Sequence, residues 1–251
     1  MPESIKISLA IVTHNEADKA AATAASVLAH CVKYPLDFYI IDNNSTDDTL
    51  DRLKYEEGLK IVRLDSNIGF GAAHNKALDF IDSDYHFIVN PDISVNSDVF
   101  ADMVDYMIAN PDVVISSPRI LNSDGTEQFL PKSTPTFRRL FLGRLSKKVR
   151  DEYIWKDKNL TEPTEIDFCS GCFFCIKTSV MKELGGFDER YFMYLEDADL
   201  TVRAKNIGKT VFLPDIKVTH LWKRESARNL RLFFIHLSSC VKFLMKWRNI
   251  E

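Results

Sequence analysis

Three groups of residues, far apart in the chain, carry side chains able to do chemistry together. Asn90-Pro91-Asp92 follows directly on the apolar run Phe87-Ile88-Val89, Glu196-Asp197 follows the apolar stretch from Tyr191 to Leu195, and His220 closes a short strand-like segment from Lys217. An acid at the exposed end of a buried strand is well placed to hold a divalent cation, and an imidazole is a suitable second ligand. An acid delivered from an apolar stretch is partly buried, which raises its pKa and suits a general base for an attacking hydroxyl. Asp92 and His220 are therefore the candidate metal ligands. Asp197, with Glu196 beside it, is the candidate base.

Each group also has an ordinary structural reading. Asn-Pro-Asp is a good turn, His220 can pack at a strand end near Trp222, and Glu196, Asp197 and Asp199 complement the dipole of a helix that begins there. Asp42-Asn43-Asn44-Ser45-Thr46 follows a strand and opens a helix, so it can cap that helix, bind a base and ribose, or do both. Thr13, Asn15 and Glu16 share this ambiguity at the first crossover. Asn67-Ile68-Gly69-Phe70-Gly71 offers flexible backbone at a helix N-terminus, a natural seat for a phosphate, although it is not a Walker loop. Cys169-x-x-Cys172-x-x-Cys175 has iron–sulfur spacing without the fourth cysteine, and its strand-like setting makes Cys172 and Cys175 apolar fillers.

The elements that must position these groups read as an α/β fold. Short apolar runs at Ile5 to Val12, Phe38 to Ile41, Lys60 to Leu64, His86 to Val89 and Val113 to Ser116 alternate with helical patterns at Glu16 to His30, Asp47 to Glu57, Gly71 to Ile81 and Ser97 to Ala109. This is the signature of βαβ units around a mostly parallel sheet, with Thr46 and Asn96 as helix caps. Each polar motif falls at the carboxyl end of a strand, where open α/β sheets bind ligands. Asn122 to Glu165 breaks the rhythm with prolines and a basic cluster from Arg138 to Arg150, and reads as a mobile loop over the site. A strand at Ile166 to Ile176, a helix from Ser179, a helix at Glu196 to Asn206, and strands at Thr210 to Leu213 and Lys217 to His220 follow. Ala227 to Arg248 reads as a basic amphipathic helix that either packs on the catalytic domain or meets an anionic membrane surface.

A chain of 251 residues, 45% hydrophobic and 27% charged, can bury a large core as one domain. Residues 1–226 are expected to form it, with 1–121 as a nucleotide-binding half, 122–226 as an acceptor half, and 227–251 as the appended helix. The formal net charge of -4 excludes a globally basic nucleic-acid binder. No segment has the ~18 uninterrupted apolar residues of a membrane span, and the cysteines suit reduced, buried thiols. A cytoplasmic protein, peripheral at most on the inner face of the membrane, is expected.

Taken together the motifs resemble family 2 glycosyltransferases, the inverting GT-A enzymes, from Ile7 to about Ser226. The resemblance rests on Ile11-Val12-Thr13-His14-Asn15, Asp42-Asn43-Asn44-Ser45, the stretch from Asn67 to Asn75, Asn90-Pro91-Asp92, Ser170-Gly171-Cys172, Gly186-Phe187-Asp188-Glu189 and Glu196-Asp197-Ala198-Asp199-Leu200. It is strongest to the rhamnosyltransferase branch of bacterial surface polysaccharide synthesis. It implies a Rossmann-like GT-A fold, a dTDP-rhamnose or UDP-sugar donor, a lipid-linked saccharide acceptor and a divalent cation, Mg²⁺ or Mn²⁺. It further implies Asp92 and His220 at the metal, Asp197 as base, and Thr13, Asn15, Glu16, Asp42, Asn44, Asn67, Gly69, Asn75 and Asn90 around the nucleotide sugar. Asn90 stands where the usual motif has an aspartate. An amide gives a dipole without a full charge, so metal affinity is expected to be lower and to depend on the bound diphosphate.

Two rivals are weighed against this. A nucleotidyltransferase on a similar sheet needs a glycine-rich, arginine-containing loop after the first strand, which Thr13-His14-Asn15-Glu16 is not. A non-catalytic nucleotide-sugar subunit is expected to lose one of the acids, and both Asp92 and Asp197 are present.

Overall fold

A computed structural model of the chain describes residues 5–54, 56–130, 132–221 and 230–248. The first half follows the alternating pattern: β1 (Ile7–Thr13), α1 (Ala17–His30), β2 (Leu36–Asp42), α2 (Thr49–Leu53), β3 (Leu59–Arg63), α3 (Phe70–Leu78), β4 (Tyr85–Val89), β5 (Ile93–Ser94), α4 (Val99–Ala109) and β6 (Val113–Leu121). A π-helical turn at Arg138–Leu142, α5 (Gly143–Leu145), α6 (Lys147–Tyr153) and β7 (Thr164–Glu165) follow. The chain then forms β8 (Phe173–Lys177), α7 (Thr178–Glu183), α8 (Glu196–Ala204), β9 (Lys209–His220) and α9 (Leu230–Lys246).

The described strands form one sheet in the order β3-β2-β1-β4-β8-β6-β9-β5, with β7 also paired to β9. β3, β2, β1 and β4 run parallel, and β8 enters antiparallel between β4 and β6. Every residue of β1 and β4 is buried, as expected of parallel strands covered on both faces. Alternate residues of β1 serve different cores: Ile7, Leu9 and Ile11 pack beneath α1 and α4, whereas Ala10 and Val12 pack with Ala73 and Ala77 of α3. α1 buries Ala17, Ala20, Ala24 and Val27, the spacing of one helical face, and its small residues let the helix lie close to the sheet. The edge strand β3 is blunted by cations, with Lys60 paired to Asp37 at 2.5 Å.

Several expected boundaries are corrected. The strand expected over Ile166 to Ile176 is regular only from Phe173, because Gly171 turns its amide out of the ladder toward Asp197. The two expected strands after Thr210 are one, β9, in which a register shift takes up residues 214–216. The stretch expected as a loop over Asn122 to Glu165 contains the π-turn and two helices. Asp98, not Asn96, caps α4 by accepting from Ala101 N at 3.0 Å, and α2 starts after Asp48 rather than Thr46. The expected C-terminal helix is regular over Leu230–Lys246, and residues 227–229 lie outside the described residues.

α9 packs on the domain through one face. Ser239, Cys240 and Phe243 are buried; Ser239 donates to Met193 O and Lys246 pairs with Asp199 at 2.6 Å and Asp188 at 2.7 Å. Its other face leaves Leu230, Phe234 and Met245 exposed. Among the described residues no helix is long and apolar enough to cross a membrane.

Candidate active site

The parallel register sets the site. Thr13 pairs with Asp42 and Ile11 with Val89, so the chain leaves β1, β2 and β4 at one level of the sheet, and all three motifs emerge there. After Val89 the Asn90–Asp92 turn reverses the chain into β5, where Ile93 pairs with His220. That one cross-strand pair brings Asp92 and His220 together from positions far apart in sequence. Thr23 Oγ1 of α1 donates to Pro91 O and Ile93 O, both at 2.7 Å, which fixes the turn to the helix beneath it.

Asp92 Oδ1 lies 3.0 Å from His220 Nε2, and both residues are buried. Burial raises the Asp92 carboxyl, but the hydrogen bond and charge of His220, with Lys19 behind them, hold it below the usual carboxylate range. Lys19 Nζ stands 4.0 Å from Asp92 Oδ2 and 2.8 Å from Glu16 Oε1, so Glu16 reaches the site through Lys19. Gln128 grips His220 from the far side, its Nε2 donating to His220 O at 2.9 Å and its Oε1 lying 3.0 Å from Nδ1. The first contact orients the amide, so Nδ1 donates to Oε1 and Nε2 is left facing Asp92.

Oδ1 and Nε2 at this distance can share a proton or a cation between them. Ligands at right angles around an octahedral ion, each about 2.1 Å from it, stand about 3.0 Å apart, so the spacing of Asp92 Oδ1 and His220 Nε2 fits a shared divalent ion. Among the described residues no group of three or more His, Cys, Asp and Glu side chains is arranged to hold a metal. The protein thus offers such an ion two groups rather than a full cage.

Glu196, Asp197 and Asp199 open α8 after two successive residues in the left-handed region, Tyr194 (φ 72°) and Leu195 (φ 67°). Non-glycine residues held there cost on the order of 1–3 kcal/mol each, a strain found where a site demands it. The three acids then part by their partners. Asp199 is fully buried and held by Arg203, Lys246 and Trp247 Nε1 at 2.6–2.8 Å, which makes it structural. Asp197 accepts from Gly171 N and Ala198 N, both at 2.8 Å; burial pushes its carboxyl up to about 6, and these two amides oppose the rise. Glu196 is buried with Oε2 unpartnered; burial, and then the charge of Asp197, push it well above the usual carboxylate range. Burial therefore weighs more heavily on Glu196, whose Oε2 has no donor, than on Asp197, which has two.

The tripeptide Ser170-Gly171-Cys172 ties the two halves of the site together. Asn90 N donates to Cys172 O at 2.9 Å while Gly171 N donates to Asp197, so neighbouring peptide units fix both Asn90-Pro91-Asp92 and the Asp197 carboxylate. The described cysteines are free thiols, and Cys172 and Cys175 are buried as apolar fillers.

Other expected site residues hold the frame. Asn15 adopts φ 57° and accepts from Thr46 N at 2.7 Å, tying the first crossover to the second. Asp42 is fully buried and accepts from Ser45 N, so it closes a turn in which Asn44 takes φ 65°. Thr13 is buried with its hydroxyl unpartnered at the strand end. Asn67 accepts from Asn43 Nδ2 and Gly69 N, both at 3.1 Å. The glycines expected to seat a phosphate have another cause: a Cβ at Gly69 (φ 93°) would lie 2.2 Å from Phe192 O, which already accepts from Phe70 N. Asn75, expected at the nucleotide sugar, clamps Phe187, accepting from its N–H at 2.8 Å and donating to its carbonyl at 2.9 Å.

Three contributors escape sequence reasoning. Gln128 sits in an aperiodic stretch, Lys19 looks like one more solvated helix cation, and Asn43 is masked by its more polar neighbours. Only the fold pairs Gln128 with His220, Lys19 with Asp92, and Asn43 with Ile68 N at 2.9 Å.

Comparison with known proteins bears on the family and the fold. The chain is 26% identical over 213 residues to the N-acetylglucosaminyl-diphospho-decaprenol L-rhamnosyltransferase of Mycobacterium tuberculosis, covering 77% of this chain and 69% of that protein. It is 26% identical over 195 residues to the rhamnosyltransferase WbbL of Escherichia coli, covering 72% and 71%. Its fold is similar to that of GalNAc-T7, solved with UDP, GalNAc and Mn²⁺, with a TM-score of 0.72 at 18% identity; all of this chain is covered, and it spans about half (49%) of that one. The model of glycosyl transferase family 2 matches residues 8–185, and the chain belongs to that family of glycosyltransferases.

Proposed function

We propose that this glycosyltransferase moves rhamnose from a nucleotide diphosphate to a hydroxyl of a lipid-linked saccharide, with inversion, in the synthesis of a surface polysaccharide. The observation that carries the reading is the tie from Asp197, through Gly171 and Cys172, to the Asp92–His220 pair, with the Glu196 carboxyl buried beside it. Two carboxyls whose surroundings push them apart are the mark of assigned acid–base roles. The curated relatives named above are rhamnosyltransferases, one of them for a diphospho-decaprenol acceptor, which supports the choice of sugar and of a lipid-linked acceptor.

Asp197 accepts the proton of the acceptor hydroxyl as its oxygen closes on the anomeric carbon. Gly171 N and Ala198 N keep that carboxylate oriented and charged until the proton arrives. Asp92 and His220 would hold Mg²⁺ or Mn²⁺, with the donor's diphosphate completing its shell; when bound, the ion offsets the charge of the departing diphosphate. Thr13, Asn15, Asn44 and Asn90 are assigned to the nucleotide sugar at the strand ends. The exposed face of α9 is assigned to an anionic membrane surface, where a lipid-linked acceptor resides.

A thermal-shift panel of dTDP-rhamnose, UDP-glucose, UDP-galactose, UDP-N-acetylglucosamine and GDP-mannose, with and without Mn²⁺, tests the donor on wild type and Asp92→Ala. Metal-dependent stabilisation by dTDP-rhamnose alone, lost in Asp92→Ala, is the expected result. Selective stabilisation by a UDP-sugar would replace the donor. A flat panel would favour a non-catalytic subunit.

A further inference from the structure

Beside the catalytic residues lies a cavity of about 160 Å³ with four cations, Arg119, Lys132, Lys156 and Lys158, against two carboxylates, Glu127 and Asp157, in a chain of net charge -4. Its charge is poorly balanced inside as well as at the rim. Glu127 is taken by Arg119, whose guanidinium also donates to Pro214 O at 3.0 Å and Leu160 O at 2.7 Å. Lys132 is 5% exposed, yet its ammonium stands 4.0 Å from that occupied carboxylate and makes one long hydrogen bond, 3.4 Å, to Leu130 O. The Phe212 ring 4.5 Å away adds a cation–π contact but accepts no hydrogen bond in the ordinary sense. Burial lowers the pKa of this lysine, the response of a cation short of counter-charge.

A buried ammonium with donors to spare is costly unless something anionic completes it. Aromatic residues wall the cavity: Trp155, whose Nε1 donates to Ser133 Oγ at 2.7 Å, and Phe129. Lys158 stands 3.5 Å over the Trp155 ring, and Lys156 6.0 Å from that of Phe129. The place of the cavity relates it to the reaction. Gln128, next to Glu127, grips His220, and a narrow cleft lined by Gln128, Lys132 and Ser170 leads toward the peptide unit that holds Asp197.

We infer that this cavity binds a phosphate group of the acceptor, a phosphate or diphosphate ester carried at the end of the saccharide remote from the reacting hydroxyl, with Lys132 as its buried partner and Lys158 at its mouth. The inference rests on the acceptor reading above and adds a separate anion site to it. In this arrangement the acceptor is gripped by its charged link while the hydroxyl reaches Asp197, and saccharides lacking the phosphate are discriminated against by the unfilled positive cavity.

The test is titration of the full chain with inorganic pyrophosphate and with inorganic phosphate in EDTA, followed by calorimetry, for wild type, Asp92→Ala, Lys132→Met and the rim variant Lys156→Ala/Lys158→Ala. EDTA and Asp92→Ala remove metal-dependent binding at the donor site. Expected is binding in wild type and Asp92→Ala, weakened at least tenfold in Lys132→Met and several-fold in the rim variant. The rim variant carries the test should Lys132→Met fail to fold. No binding in wild type, or binding unchanged by both lysine changes, overturns the inference. Loss in Asp92→Ala with retention in Lys132→Met places the anion at the donor site and overturns it equally. Because no sugar transfer is measured, a failure here leaves the transfer reading intact, and a flat donor panel leaves this result intact.

Discussion

The amide of Gln128 touches His220 twice, at the ring nitrogen Nδ1 (3.0 Å) and at the backbone carbonyl (2.9 Å). The backbone contact settles which end of the amide is which, and the ring contact then makes Nδ1 a donor. One residue outside the recognised motifs thus holds the ring with Nε2 toward Asp92.

Gln128→Leu is expected to free the ring and weaken the cation site without disturbing the strands. Loss of such an outer contact typically costs 10–100-fold in metal affinity, so the Mn²⁺ concentration for half-maximal activity should rise by about that factor. An unchanged Mn²⁺ titration would mean that the grip on His220 is incidental.

As the proposed base, Asp197 would work only while ionised. With its pKa raised to about 6, transfer should fall tenfold per pH unit below that value and level off above it. Asp197→Asn should lower kcat by about 10²–10⁴ while donor binding stays near wild type. A variant that keeps most of its turnover would remove Asp197 from the role.

Glu196 gives the opposite expectation. Its folded pKa is raised, so above the ordinary glutamate value of about 4.3 the unfolded chain has shed a proton that the folded chain keeps, and stability falls as pH rises. Glu196→Gln should therefore be more stable than wild type at pH 8, with the gap in Tm closing toward pH 4. A gap independent of pH would show that the glutamate is not held neutral. If Glu196 were the base, Glu196→Gln would abolish transfer and Asp197→Asn would spare it.

The exposed face of α9 can be tested without touching the buried one. Leu230→Ser/Phe234→Ser/Met245→Ser leaves Ser239, Cys240, Phe243 and Lys246 in place, so folding should be retained. Co-sedimentation with vesicles rich in anionic lipid should drop several-fold. Equal partitioning of variant and wild type would assign α9 to domain packing alone.

Much of the frame was readable in the sequence because buried parallel strands leave a strong mark. The runs before Thr13, Asp42 and Asn90 are buried on both faces. The start of α8 was readable too, since the acids cluster in its first turn. What stayed hidden is whatever depends on a partner distant in sequence. The Gly69 requirement comes from Phe192, the role of Asn75 from Phe187, and the join within β9 from a bulge against β6 that no periodicity records. The functional roles divide in the same way. Asp92, His220 and Asp197 could be named as reactive types, but the distinction between Asp197, Glu196 and Asp199 lies wholly in which donors reach each carboxylate.

Burial pushes the Cys172 thiol up to about 12; a hydrogen bond from the Ser170 hydroxyl opposes the rise, and the charges of Asp197 and Asp92 add to it. At neutral pH almost no thiolate is present, and a closed site gives an electrophile no approach. Alkylation of Cys172 is therefore expected to be slow in the folded chain and fast once it unfolds, which makes that sulfur a chemical readout of whether the Ser170-Gly171-Cys172 segment is in place.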